Sequence, residues 1–510
     1  MEMPFVKLQI LINLTRYLRL LNLITTEKHM SIEIKNPANP KETVAYHSEN
    51  TAEEIDTIIT NAKSAQKKWA TVPQPERGRI IKLFLDALET KSEEIALSMT
   101  KEMGKTLGES KGEIAKAVGE GRATADRAGA AIGEVLPSQI AGTISYTFRR
   151  PRGVVLGINP WNFPFSTPLR KAIPALLYGN AIIQKPATIS PGPLLMMRDI
   201  ASDFFPKGLF DVVVGGGAIG QSLCEHQDIN AVSFTGSVNV GRKVAIAAVS
   251  HFAEVSLELG GKNPVIVNDS LNLDAALDQI TAAGFAVCGQ RCTAISRVIV
   301  HTDLEAQVIE GLAKRANAII PSDGTKDDAQ MGPLSSDTQL HDVSGFVERA
   351  INEGAKIAAG GTKINSDTGG FFYSPTILSG VTRNMEIARN EVFGPVMVVM
   401  SYSDIEEALF VANDVSFGLS SCLYSDQLHV VERFIAESES GMLHINGGSF
   451  PQNHLPFVGV KESALGVGGS NGASTIQFYT TEHTVYKNSL TYIMQVSLQY
   501  NVKGTAIIVI

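Results

Sequence analysis

The stretch GVVLGINPWNFP, residues 153–164, decides the fold. An apolar run of strand length stops at Asn159-Pro160-Trp161-Asn162, which places a side-chain amide and an indole at the carboxyl end of a strand. In open α/β sheets that edge is where ligands bind. Downstream, short apolar runs at 180–184, 211–214 and 231–234 alternate with helical stretches. A second series begins at Pro264, with runs at 265–267, 298–300 and 396–400. Strands separated by helices predict an α/β protein with mostly parallel sheets, here two units without a low-complexity linker or an internal repeat. Upstream, residues 51–133 follow helical periodicity, and Thr51 followed by Glu54 forms a capping box that starts the first helix. Residues 143–152 alternate apolar and polar, as a strand does.

The chain has 510 residues, long enough for two to four domains at roughly 150 residues each. Hydrophobic residues make up 44% and charged residues 19%, a globular balance. With 44 Lys+Arg against 52 Asp+Glu the net charge is −8, which lacks the basic excess that a nucleic-acid phosphate backbone requires. Four cysteines exclude a disulfide scaffold and fit a reducing, cytoplasmic setting. The first 29 residues differ from the rest. Lys7, Arg16 and Arg19 break their apolar run, so no bilayer span is expected. The segment reads as an extension preceding a start at Met30, or else as an amphipathic surface helix.

Three junctions carry chemistry. At 215–220 the sequence Gly-Gly-Gly-Ala-Ile-Gly satisfies G-x-G-x-x-G between a strand and a helix, yet no acidic residue lies between Asn230 and Gly241, so this dinucleotide fingerprint is incomplete. Phe234-Thr235-Gly236-Ser237 is a rival phosphate loop, with free amides and a hydroxyl. At Gly289-Gln290-Arg291-Cys292-Thr293 a cysteine sits among small and polar residues beside a cation able to favour a thiolate. Cys224, Cys288 and Cys422 lack such a setting and read as small buried hydrophobes. Glu258, between Leu257 and Leu259 and before Gly260-Gly261, is placed for desolvation, which raises a carboxyl towards a useful general base.

Taken in order, PWNFP at 160–164, Lys185-Pro186, FTGS at 234–237, ELGG at 258–261, GQRC at 289–292 and EVFGP at 391–395 resemble the aldehyde dehydrogenase superfamily. The resemblance covers about Asn36 to Tyr486. It implies a Rossmann-type cofactor domain (30–139 and 153–258), an α/β catalytic domain (259–470), and a small oligomerisation hairpin with tail (140–152 and 471–510), in a homodimer or homotetramer.

The resemblance also implies the chemistry. Cys292 attacks the aldehyde carbonyl, Asn162 and the Cys292 backbone N–H hold the oxyanion, hydride passes to a nicotinamide, and Glu258 activates the water that hydrolyses the thioester. Trp161, Lys185, Thr188, Gly236, Ser237, Leu259, Glu391 and Phe393 are the implied cofactor contacts. The FTGS loop takes the pyrophosphate, so the glycines at 215–220 revert to a packing and turn role. Thr188 stands where many NAD-preferring relatives carry Glu; losing that charge removes repulsion against a 2′-phosphate and favours NADP, with NAD as the alternative. Arg170 matches an arginine that binds the substrate carboxylate in succinate-semialdehyde dehydrogenases, although their second arginine is here Ala286. A carboxylate-bearing semialdehyde is therefore favoured over a neutral aldehyde, and no metal is expected. The segment 456–469, PFVGVKESALGVGG, departs from relatives by placing Val458 and Ala464 at glycine positions. A CoA-acylating enzyme is the near alternative, opposed by Glu258; a silent scaffold of the same fold is opposed by the intact Cys292, Glu258 and Asn162.

Overall fold

The computed structural model describes residues 31–269, 272–468 and 470–489. The extension at 1–29, the tail beyond Ser489, and Gly469 lie outside the described residues. The strand in the opening stretch is Val154–Ile158, and it runs at the centre of a six-stranded sheet. Its parallel neighbours are Ala181–Lys185 and Ala231–Thr235, followed outward by Phe210–Val212 and Glu254–Glu258. All but Glu254–Glu258 are apolar runs expected from the sequence, each extended or shifted by a residue or two. One edge was not foreseen. Ala464–Gly466 returns from far along the chain and pairs antiparallel with Glu254–Glu258, placing Ala464 opposite Glu258. Part of the stretch 259–470 therefore belongs to the first sheet.

The second sheet has seven strands. Asn263–Val267 lies between Ile295–His301 and Ser420–Tyr424; Val396–Tyr402, Thr376–Ser379 and Met442–Ile445 continue it in parallel, and Lys356–Ala359 closes one edge antiparallel. Each sheet has its own apolar core. One core is built around residues such as Phe84, Leu156 and Ile182, the other around Ile266, Ile299 and Val398. The break between them falls between Leu259 and Val265, just after Glu258. A third, small sheet pairs Thr143–Pro151 with Thr480–Asn488 and Val135–Leu136.

Helices before the first sheet follow their sequence signals. In Ala52–Trp69, the Thr51 hydroxyl accepts from the Glu54 N–H at 3.2 Å while the Glu54 carboxylate accepts from the Thr51 N–H at 3.0 Å. The same reciprocal cap, from Thr106 and Glu109, starts the helix Leu107–Ala125. That helix packs against Ser166–Leu177, which follows the Asn162 loop.

Candidate active site

A cavity of about 480 Å³ opens between the carboxyl ends of the strands Val154–Ile158 and Ala231–Thr235 and the loop holding Cys292. Its wall includes Trp161, Asn162, Arg170, Gly236, Ser237, Glu258, Leu259, Cys292, Glu391 and Phe393, so most of the residues singled out from the sequence meet in one space. Lys185 and Thr188 do not line it, although Ala187 does. Lys185 is buried, and burial lowers the pKa of its ammonium, whose Nζ donates to the Pro186 carbonyl at 3.3 Å; Thr188 is half-buried.

Cys292 sits on a loop that the backbone forces into position. Val287 and Cys288 both have positive φ, at 56° and 55°. A β-branched residue there is a true outlier and needs outside support. Support comes from Glu109 at the start of Leu107–Ala125, whose Oε1 accepts from the Val287 N–H at 2.6 Å. Beyond the turn, Asn263 Nδ2 donates to the Cys292 carbonyl at 2.7 Å. Cys224, Cys288 and Cys422 are buried free thiols.

The Asn162 amide donates one N–H to the Gln290 carbonyl at 2.8 Å, two residues from Cys292. A side-chain amide carries two N–H groups, so the second remains for the cavity that Asn162 lines. Its loop is held from below by a buried ion pair that the sequence did not signal. Lys105 Nζ contacts the Glu113 carboxylate and donates to the Asn162 carbonyl at 2.8 Å, while Glu113 Oε1 accepts from the N–H groups of Phe165 and Ser166 at 3.1 and 2.8 Å.

The proton inventory departs from the sequence reading. Burial, and then the Glu391 carboxylate, push the Cys292 thiol up to about 11 against the smaller opposing pull of Arg291. Arg291 does not hold a resting thiolate. Its guanidinium donates to the carbonyls of Ala283 and Ser449 and to the Thr293 hydroxyl, and it stacks on Phe450. It fastens the loop instead. Glu258 behaves as the sequence suggested: burial lifts its carboxyl to about 8, with Arg170 and Lys171 pulling it partly back. Its Oε2 is buried with no hydrogen-bond partner.

Arg170 lies in the cavity wall, neither on a helix surface nor alone. Its Nε and Nη2 donate to the Glu120 carboxylate at 2.9–3.1 Å, and it lies over the Phe457 ring at 5.0 Å. Against its own burial, Glu120 holds the guanidinium firmly charged.

The two glycine-bearing loops separate clearly. The helix Gly217–Glu225 takes in most of the stretch 215–220, and the N–H of its capping residue Gly216 is taken by Glu49 Oε1 at 2.8 Å. A carboxylate already fills that end. The helix Val238–Val249 begins at Ser237, whose side chain makes no capping bond, and both Gly236 and Ser237 face the cavity. Such an open helix start suits a phosphate. On the opposite wall Trp161 packs edge-on against Phe393, centroids 5.4 Å apart, and Gln339 Nε2 donates to the Phe393 carbonyl at 2.9 Å. Glu391 Oε1 accepts from the Gly261 N–H at 2.9 Å, and a Cβ at Gly260 would overlap its carboxylate. A long cleft with an anion-ready helix start, an aromatic wall and a carboxylate fits a nicotinamide dinucleotide.

The fold and this convergence define a family. The aldehyde dehydrogenase family model matches residues 24–485, and the chain belongs to that family. It is 38% identical to the alpha-ketoglutaric semialdehyde dehydrogenase of Bacillus subtilis over 462 residues, 89% of this chain and 94% of that protein. Among solved structures it resembles Escherichia coli lactaldehyde dehydrogenase, with a TM-score of 0.88, 32% identity, and 91% and 97% of the two chains covered. It also resembles Staphylococcus aureus betaine aldehyde dehydrogenase in complex with NAD+, with a TM-score of 0.87, 30% identity, and 90% and 92% covered. The protein is thus an aldehyde dehydrogenase that oxidises an aldehyde to the acid with a nicotinamide cofactor. Among the described residues no helix is long and apolar enough to cross a membrane.

Proposed function

We propose that the protein oxidises a carboxylate-bearing semialdehyde, with NADP preferred over NAD, through a covalent intermediate on Cys292. The observation that carries this reading is the meeting of Cys292, Asn162, Glu258 and Arg170 on one cavity. The Cys292 thiol, raised by burial, must lose its proton to attack, and Glu258 in the same cavity receives it in its ionised form, whose share grows as pH rises through about 8. The spare Asn162 N–H and the Cys292 backbone N–H hold the oxyanion of the thiohemiacetal. A bound nicotinamide supplies the hydride acceptor. Loss of hydride to it would leave a thioester on Cys292; Glu258, having passed the thiol's proton to solvent, would then take a proton from the water that hydrolyses the thioester, freeing the acid and the Cys292 sulfur. Trp161, Gly236, Ser237, Leu259, Glu391 and Phe393 would hold the cofactor in the cavity, and Lys185 and Thr188 would meet its adenosine end just beyond.

Arg170 supports an anionic substrate, and Thr188 in place of an acid supports NADP. The division into cofactor, catalytic and hairpin parts follows the two cores and the small third sheet. A cytoplasmic setting is supported by the four free cysteines, and a homodimer or homotetramer by apolar side chains left exposed at one helix end: Ile246 and Val249, with Phe252 just after it. The test of the chemistry is reduced-cofactor formation by Cys292→Ser beside the parent, with intact mass after mixing with aldehyde. The variant is expected to form neither product nor adduct; parent-like turnover by the variant would overturn the reading.

A further inference from the structure

The relatives named above act on aldehydes of different charge: a semialdehyde of a keto acid is an anion, lactaldehyde is neutral, and betaine aldehyde carries a fixed cation. One backbone thus serves three signs, and the charge of the cavity must make the distinction. In this chain the carboxyls of Glu258 and Glu391 act on the nucleophile, and it is at the Arg170 end of the cavity that the charge count is unbalanced. Glu113 is satisfied by Lys105 and two backbone N–H groups. Arg291 spends its guanidinium on the carbonyls of Ala283 and Ser449 and on the Thr293 hydroxyl. Arg170 is paired bidentately with Glu120, so this arginine and its carboxylate present no net charge. Lys116 also lines the cavity, and its Nζ stands 3.7 Å from the same Glu120. Two cations therefore share one buried carboxylate. Burial pulls the ammonium of Lys116 down, the Glu120 carboxylate offsets part of that pull, and the charges of Arg170 and Arg291 add to it, so Glu120 compensates Lys116 only in part.

We propose that Lys116 is the specificity-determining residue of this cavity, and that the distal carboxylate of an anionic aldehyde docks between its ammonium and the Arg170 guanidinium. Lys116 thereby supplies the second cation that Ala286 does not, from a helix instead of the nucleophile loop. The inference rests on the reading of this cavity as the aldehyde site for a carboxylate-bearing substrate.

The experiment compares kcat/KM on succinate semialdehyde, butanal and betaine aldehyde for the parent, Lys116→Met and Lys116→Arg, with thermal midpoints recorded for each. Lys116 keeps about a third of its side chain exposed, so the apolar variant is expected to fold, and Lys116→Gln is read in the same way if it does not. The parent is expected to favour succinate semialdehyde. In K116M that efficiency falls about 10- to 100-fold through KM, with butanal changed less than about twofold and betaine aldehyde no worse, while K116R keeps the parent's order. A parent-like ratio of succinate semialdehyde to butanal in K116M overturns the role of Lys116 alone. An equal fall on all three aldehydes also overturns it, as a structural effect. A parent that treats succinate semialdehyde and butanal alike overturns the anionic-substrate reading, and Lys116 with it.

Discussion

Replacing Glu258 with Gln is expected to stop turnover and, at alkaline pH, to stabilise the protein. Burial lifts this carboxyl from 4.5 to about 8. A carboxyl whose folded pKa lies above its unfolded one retains its proton longer in the fold. The fold therefore holds the extra proton between about pH 4.5 and 8, and stability falls as pH rises through that window. At about 1.4 kcal/mol per pH unit, the loss between pH 5 and pH 9 is roughly 4 kcal/mol. Gln cannot ionise, so the variant escapes the loss. Other buried acids such as Glu102 and Glu391, both raised to about 7 by burial, titrate in parent and variant alike and cancel in the difference. Urea unfolding of both proteins at intervals from pH 5 to pH 9 is the assay. The gap in favour of E258Q should widen steadily with pH and level off above pH 8. Steady-state turnover of the variant should fall about 10²- to 10⁴-fold, and the first-turnover burst of reduced cofactor should slow as well, because the Cys292 thiol then lacks its proton acceptor. A gap that stays constant, or one that shrinks as pH rises, would refute the placement of this carboxyl in a desolvated pocket.

Asn162→Ala should lower kcat about 10²- to 10³-fold, the usual effect of losing one oxyanion donor, with cofactor affinity unchanged. Alkylation of Cys292 by iodoacetamide builds no oxyanion and should stay within about twofold of the parent; parallel losses in both rates would point to a displaced thiol instead. Thr188→Glu should lower kcat/KM for NADP by about tenfold or more while sparing NAD, since a carboxylate there meets a 2′-phosphate with like charge. An unchanged cofactor ratio, or a parent that strongly prefers NAD, would remove Thr188 from cofactor selection.

Much of the fold was legible because parallel strands buried on both faces are short apolar runs, and those at 180–184, 231–234 and 265–267 stand out without neighbours. The site was legible where chemistry and a strand end coincide, as at Asn162, Glu258 and Cys292. Three things were not. The left-handed turn at Val287 and Cys288 is opposed by local preference and exists because Glu109, 178 residues away in sequence, holds it. Arg291 looked like a partner for the thiolate because it is adjacent in sequence, yet backbone carbonyls claim it. Ala464–Gly466 is too short to announce a strand, and only its partner Glu254–Glu258 makes it one.

Glu109, Glu113, Lys116 and Glu120 recur at intervals of four, three and four along Leu107–Ala125, and so lie on one face over about 16 Å. The rod is graded along its length. Its first two turns grip the nucleophile turn and the amide loop, and its last two reach the charged end of the cavity. Tolerance to change should be graded in the same way, with drift at 116 and 120 altering which aldehyde is admitted and drift at 109 or 113 disabling the reaction itself. A designer seeking a new substrate therefore has two adjacent turns in which to work while the reacting atoms stay where they are.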